Sequence, residues 1–211
     1  MDARVLFQDP HIIVAVKPYG VLSEAHDSLP NMPALLRDQC GCEVFPVHRL
    51  DKTTEGVMLY AKTREAAASL SDAIRQGTIE KTYLAVVEGI PDESGEMTDL
   101  LYFDRRKNKS YVVKRERKGV KEARLRYERL SVSEHDGIPV AAVRIRLDTG
   151  RTHQIRVQFA SRRMPLVGDR RYGSRIPADN IALCACALAF PHPVTGETMR
   201  FAHTPDNMIF N

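Results

Sequence analysis

Nine consecutive residues concentrate the groups able to do chemistry: His48-Arg49-Leu50-Asp51-Lys52-Thr53-Thr54-Glu55-Gly56. They lie between two apolar runs, residues 44–47 and 57–61. Both runs are short, and the second is too uniformly apolar for a surface strand, so both read as buried strands. Gly56 closes the polar segment as a tight turn. A polar loop between two buried strands holds a reactive side chain in one place. A carboxylate in such a loop can add to an electrophile or assist the departure of a leaving group. To act it must stay ionised where water is excluded. Burial alone raises its pKa, and a facing arginine keeps it charged.

HRLD at 48–51 and TEG at 54–56 resemble HRLDxxTSG, the signature of the RluA/RsuA-type pseudouridine synthases, which isomerise uridine to pseudouridine within RNA. The resemblance implies that Asp51 is the catalytic carboxylate and that Arg49 enters the RNA helix beside the flipped base. His48 and Thr54, in the same motif, become substrate-binding candidates. Glu55 stands where the signature has Ser, a change in hydrogen bonding next to the site. Lys17-Pro18-Tyr19-Gly20 resembles the family's opening Lys-Pro-x-Gly and makes Lys17 a further substrate-binding candidate. Residues 81–87 resemble KxYxAxV, in which the tyrosine contacts the target uracil and accepts its ring proton; this implies a catalytic role for Tyr83. Residues 149–156, TGRTHQIR, are a second long match. It implies that Arg151 forms an ion pair with the catalytic aspartate and that Ile155 lies at the substrate. Residues 165–173 and 192–197 resemble PIxGDxxYG and HPxTGE. Nearly the whole chain is covered, as expected for the RluA-like branch without its small N-terminal RNA-binding module.

The implied reaction breaks the bond from ribose C1′ to uracil N1, turns the ring over and rejoins it through C5. No redox change or group donor is involved, so no cofactor is expected, and no Gly-x-Gly-x-x-Gly or P-loop string is present. The base must leave its stack at a cost of roughly a few kcal/mol, and a long arginine near the nucleophile suits the vacated space. Tyr83, or a water it positions, would accept the C5 hydrogen. An alternative reading is a non-catalytic RNA-binding protein on the same fold. A carboxylate hydrolase would want a second paired acid or a metal, and the sequence supplies neither convincingly.

The elements that must position these groups follow from patterning. Residues 5–7 and 12–16 read as two strands joined at Asp9-Pro10, and residues 33–39 as a short helix. Thr63 caps a helix with Ala66, Leu70, Ala73 and Ile74 at helical spacing, ended by Gly77. Residues 81–87, 122–130 and 143–147 read as strands, residues 152–162 as a helix, and residues 181–190 as a central strand buried on both faces, with Cys184 and Cys186 in the core. A last strand covers 198–202. Basic clusters at 105–109 and 114–118 flank Tyr111-Val112-Val113, the pattern of a hairpin arm lying along phosphates. The fold class is α+β: a mixed, mostly antiparallel central sheet flanked by helices, in a single catalytic domain over 1–211.

Composition sets the remaining expectations. The chain has 211 residues, a net charge of +4, no Trp, and four cysteines in two Cys-x-Cys pairs. That charge suits a polyanion, and RNA (rRNA or tRNA) is the expected partner. The cysteine spacing is not that of common zinc sites, His48 and His153 have no third ligand at a telling distance, and no metal is expected. Reduced thiols and the lack of a signal peptide point to the cytoplasm. The longest apolar run is far short of the roughly 20 residues of a membrane helix, so no membrane partner is expected. A monomer is the default.

Overall fold

The computed structural model describes residues 2–205. In chain order the elements are β1 (Arg4–Gln8), β2 (Ile12–Lys17), α1 (Met32–Cys40), β3 (Phe45–Pro46), β4 (Glu55–Ala61), α2 (Arg64–Gln76), β5 (Glu80–Glu88), β6 (Ser94–Asp104), β7 (Lys109–Val113), β8 (Val120–His135), β9 (Ile138–Leu147), α3 (Gln154–Ser161), a 3-10 turn (Arg170–Tyr172), β10 (Leu183–Pro191) and β11 (Thr198–Ala202). The strands form a mixed, mostly antiparallel arrangement with few helices, an α+β architecture. The chain divides into two compact units, one running to Lys81 and resuming at Cys184, the other Thr82–Leu183. Among the described residues no helix is long and apolar enough to cross a membrane.

In the first unit β1, β2, β4 and β10 lie side by side, with β11 beside β10 and β3 beside β4. β2 and β4 are antiparallel from Ile12↔Ala61 to Lys17↔Gly56. β4 and β10 are parallel, with Glu55 opposite Cys184 and Gly56 opposite Ala185. Ile12, Val14, Val57 and Leu59 pack with Ala66, Leu70 and Ala73 of α2 and with Leu188 and Phe190. α2 starts where the Thr63 side chain accepts from Ala66 N–H, and stops at Gly77 in the left-handed conformation. Its fully buried Leu70 contributes about 2 kcal/mol by removal from water.

In the second unit β5, β9, β8, β6 and β7 follow one another, all antiparallel. β5 and β9 set Tyr83 opposite Ile145. α3 packs on this sheet through Val157 with Leu101 and Ala123, and through Phe159, whose ring lies edge-on to Tyr127 at 5.5 Å between centroids. The β6–β7 hairpin expected from the basic clusters is present: Asp104 Oδ1 accepts from the N–H groups of Arg106 and Lys107 at its turn.

Four expectations need correction. The apolar run at 44–47 forms only the two-residue β3, with Phe45 half-buried and Pro46 exposed; proline has no N–H to extend a ladder. Residues 181 and 182 precede β10, and Cys186 is half-buried although Cys184 is buried. α3 begins at Gln154, later than the pattern suggested, because His153 takes a left-handed φ of 54°. Gly56 is not a turn residue but the second residue of β4, at φ 131°. A Cβ there would sit 2.3 Å from the carbonyl oxygen of Ala185, so glycine is what lets the two parallel strands approach. Gly56→Ala is therefore expected to lower unfolding stability by about 3 kcal/mol or more in urea titration; an unchanged midpoint would contradict the close-approach argument.

Candidate active site

The loop carrying Asp51 is fixed at several points within the first unit. The Ser23 hydroxyl accepts from Leu50 N–H and donates to Leu50 O, both at 2.9 Å. Gly20 N–H donates to Lys52 O at 2.9 Å, and Thr54 N–H closes a turn on Asp51 O at 3.0 Å. Leu50 and Thr54 are buried, Asp51 is half-buried, and Lys52 and Thr53 are exposed. The loop thus turns its carboxylate-bearing residue partway out of a core it is tied to on both sides. Arg49 is exposed and pairs with Glu24 at 2.9 Å. A pair this exposed adds little stability and can be exchanged for another anion.

Lys17 is an interior residue. It is fully buried, and its Nζ donates to the carbonyls of Pro18 and Val21 at 2.9 Å and lies 3.5 Å from Lys52 O. Burial pushes its pKa down to about 8, against the carboxylates of Asp51 and Glu55, which hold it up. The ammonium is close enough to Asp51 for that charge to raise its pKa, and it meets the loop at the Lys52 carbonyl. His48 also acts inward: its Nε2 accepts from Leu59 N–H at 3.1 Å, and burial, helped by Lys81, depresses its pKa to about 3. A ring that accepts from the backbone and stays neutral is a brace between loop and β4.

In the second unit Tyr83 is buried in β5. Arg151 is half-buried; its Nε donates to Glu122 O at 2.8 Å and its backbone N–H to Gln154 Oε1 at 3.0 Å. Ile155 is buried in the first turn of α3. What holds this block was not visible in the pattern. Arg156 reaches back to Asp169 through two bonds, Nε to Oδ2 at 2.7 Å and Nη2 to Oδ1 at 2.9 Å, with both side chains buried. His153 Nδ1 lies 3.0 Å from the Tyr172 hydroxyl, which accepts from Ser110 N–H at 2.8 Å. The 165–173 stretch therefore clamps α3, and a bidentate guanidinium–carboxylate pair gives that clamp its direction.

One cluster was invisible to spacing because its members come from three distant stretches. Glu55, Cys184 and His203 bring one ligand-type atom each to within 4.8 Å of one another in the first unit. The replacement of Ser by Glu at position 55 was its only signal.

The RNA pseudouridylate synthase family matches residues 11–161. The tRNA pseudouridine synthase C of Vibrio parahaemolyticus serotype O3:K6 is 30% identical over 220 residues, covering 94% of this chain and 89% of that protein. The ribosomal large subunit pseudouridine synthase D of Vibrio cholerae is 35% identical, covering 99% of this chain and 69% of that one. Human RNA pseudouridylate synthase domain containing 1 has the same fold, with a TM-score of 0.80 at 24% identity over 97% of this chain and 84% of that one.

Lys17 yields a pH test. Its folded pKa, about 8, lies below the unfolded value of 10.5. Between those values the unfolded chain binds a proton that the folded one does not, so this group's contribution to stability rises with pH. The cost of burying the ammonium is fully present below pH 8 and is relieved as pH approaches 10.5. The stability of wild type minus Lys17→Met should therefore climb across that window, by up to roughly 3 kcal/mol. A flat difference in denaturant titrations would contradict the buried ammonium.

Proposed function

The chain belongs to the RNA pseudouridylate synthase family, and we propose that it isomerises specific uridines of transfer or ribosomal RNA in the cytoplasm, with Asp51 as the catalytic carboxylate. The observation that carries the proposal is the Asp51 loop: a half-buried carboxylate, in a family of this chemistry, fixed through its neighbours by Ser23, Gly20 and Lys17. Relatives named for tRNA and for the ribosomal large subunit support RNA as the substrate class without choosing between the two.

In this reading the two units act as a single catalytic domain. The target base leaves its stack, and Arg49 exchanges its exposed partner Glu24 for the vacated space in the RNA. Asp51 attacks the ribose or the ring, or assists departure of the uracil, and the base rejoins through C5. Tyr83, or a water it positions, takes the C5 proton. Arg151 serves the same step by favouring the ionised carboxylate. Thr54 and His48 hold the loop, and Ile155, buried at the head of α3, is the apolar residue assigned to the substrate side. The reaction needs no cofactor by its own balance, since nothing is oxidised and no group is donated.

RNA bearing tritium at uridine C5 should release label to water, and Asp51→Asn should slow release by at least about a thousandfold, the scale for removal of an essential group. If Arg151 works through Asp51, adding Arg151→Ala to Asp51→Asn should cost far less than it does alone. Undiminished release by Asp51→Asn would remove the aspartate from the mechanism. On the RNA side, neutralising Lys114 and Arg115 between β7 and β8 should weaken binding without changing the turnover of bound RNA. It should also reduce the salt dependence of binding by about one unit of slope for each phosphate no longer engaged.

A further inference from the structure

We propose that Glu55, Cys184 and His203 form a binding site for a zinc-class transition-metal ion. The inference stands apart from the isomerase reaction proposed above, which assigns no step to any of the three residues. Three observations carry it. The donor set is one carboxylate, one thiol and one imidazole, each placing an atom within 4.8 Å of the others. The residues are sequestered: Cys184 is fully buried, His203 is 7% exposed, and the Glu55 side chain is 13% exposed. Each is held by backbone. Glu55 opens β4 directly opposite Cys184 in the parallel ladder, and His203, just past β11, donates its N–H to Cys186 O at 2.8 Å.

The spacing is close to that of ligands around a shared ion. His203 Nε2 stands 3.9 Å from Glu55 Oε1, too long for a hydrogen bond. Around tetrahedral zinc, nitrogen and oxygen ligands at about 2.0–2.2 Å lie roughly 3.4 Å apart, so the pair would close by about half an ångström. Three protein ligands leave a fourth position for water or another donor. The thiol selects against magnesium and calcium, which prefer oxygen, and in favour of zinc or cobalt. On binding, Cys184 loses its proton to the buffer, and the thiolate and carboxylate together balance the dication. The ion would tie the starts of β4 and β10 to the segment after β11, and its ligand Glu55 lies four residues beyond Asp51 in sequence.

The test uses the full chain, untagged, stripped with chelator and kept reduced, titrated with cobalt(II) and then zinc(II). One cobalt per chain should bind with a thiolate-to-cobalt charge-transfer band in the near ultraviolet, and zinc should erase the band. Cys184→Ser should abolish it. Glu55→Ser, which leaves the core thiol in place, should weaken cobalt binding by about tenfold or more. Cys40→Ser/Cys42→Ser should leave the band intact. No band in the wild-type protein, a band that survives Cys184→Ser, or one that disappears with Cys40 and Cys42 would overturn the proposal.

Discussion

A buried ammonium is the constraint on which the first unit depends. Lys17 ends β2 inside the protein, and removing that charge from water is costly unless it is surrounded by acceptors. The carbonyls of Pro18, Val21 and Lys52 supply them, and the carboxylates of Asp51 and Glu55 add attraction. Satisfying one cation thus draws the turn after β2 and the loop before β4 onto the same point. Gly20 and Ser23 then fasten that loop by backbone and hydroxyl bonds. The result is a carboxylate whose main chain has little freedom but whose side chain stays near the surface. Such a fixed group avoids reorganisation when charge develops.

The second unit solves a similar problem with different parts. α3 is buried along most of its length and carries polar residues inward. Arg156 is matched to Asp169, and Gln158 donates to Asp99 Oδ2 at 2.7 Å. These pairings set the helix against its sheet. Arg151, just before it, is steadied by the Glu122 carbonyl at its Nε and by the Gln154 side chain at its backbone N–H. A planar guanidinium held through Nε has further donors on its two terminal nitrogens to offer an anion.

Local elements were legible in the sequence because their causes are local. The N-cap at Thr63, the apolar spacing of α2 and the stop at Gly77 are all within reach of one another, and the helix forms where they place it. The alternation in β8 and β9 likewise reports one wet and one dry face. Resemblance supplied the candidate residues, which no local pattern could have assembled. What escaped was set by contacts distant in sequence. Gly56 looks like a turn until Ala185 is seen against it. Lys17 looks solvated until the loop 35 residues later closes over it. The Arg156–Asp169 clamp and the Glu55–Cys184–His203 cluster depend on side chains that meet only in the folded chain.

We propose that the carboxylate at position 51, fixed by its loop, makes this chain an RNA uridine isomerase. The most direct measurement is a map of pseudouridines in cellular RNA with and without the gene, complemented by wild type or by Asp51→Asn. At least one uridine in transfer or ribosomal RNA should lose its modification without the gene, regain it with wild type, and stay unmodified with the asparagine variant. An unchanged map, or full restoration by Asp51→Asn, would contradict the proposal.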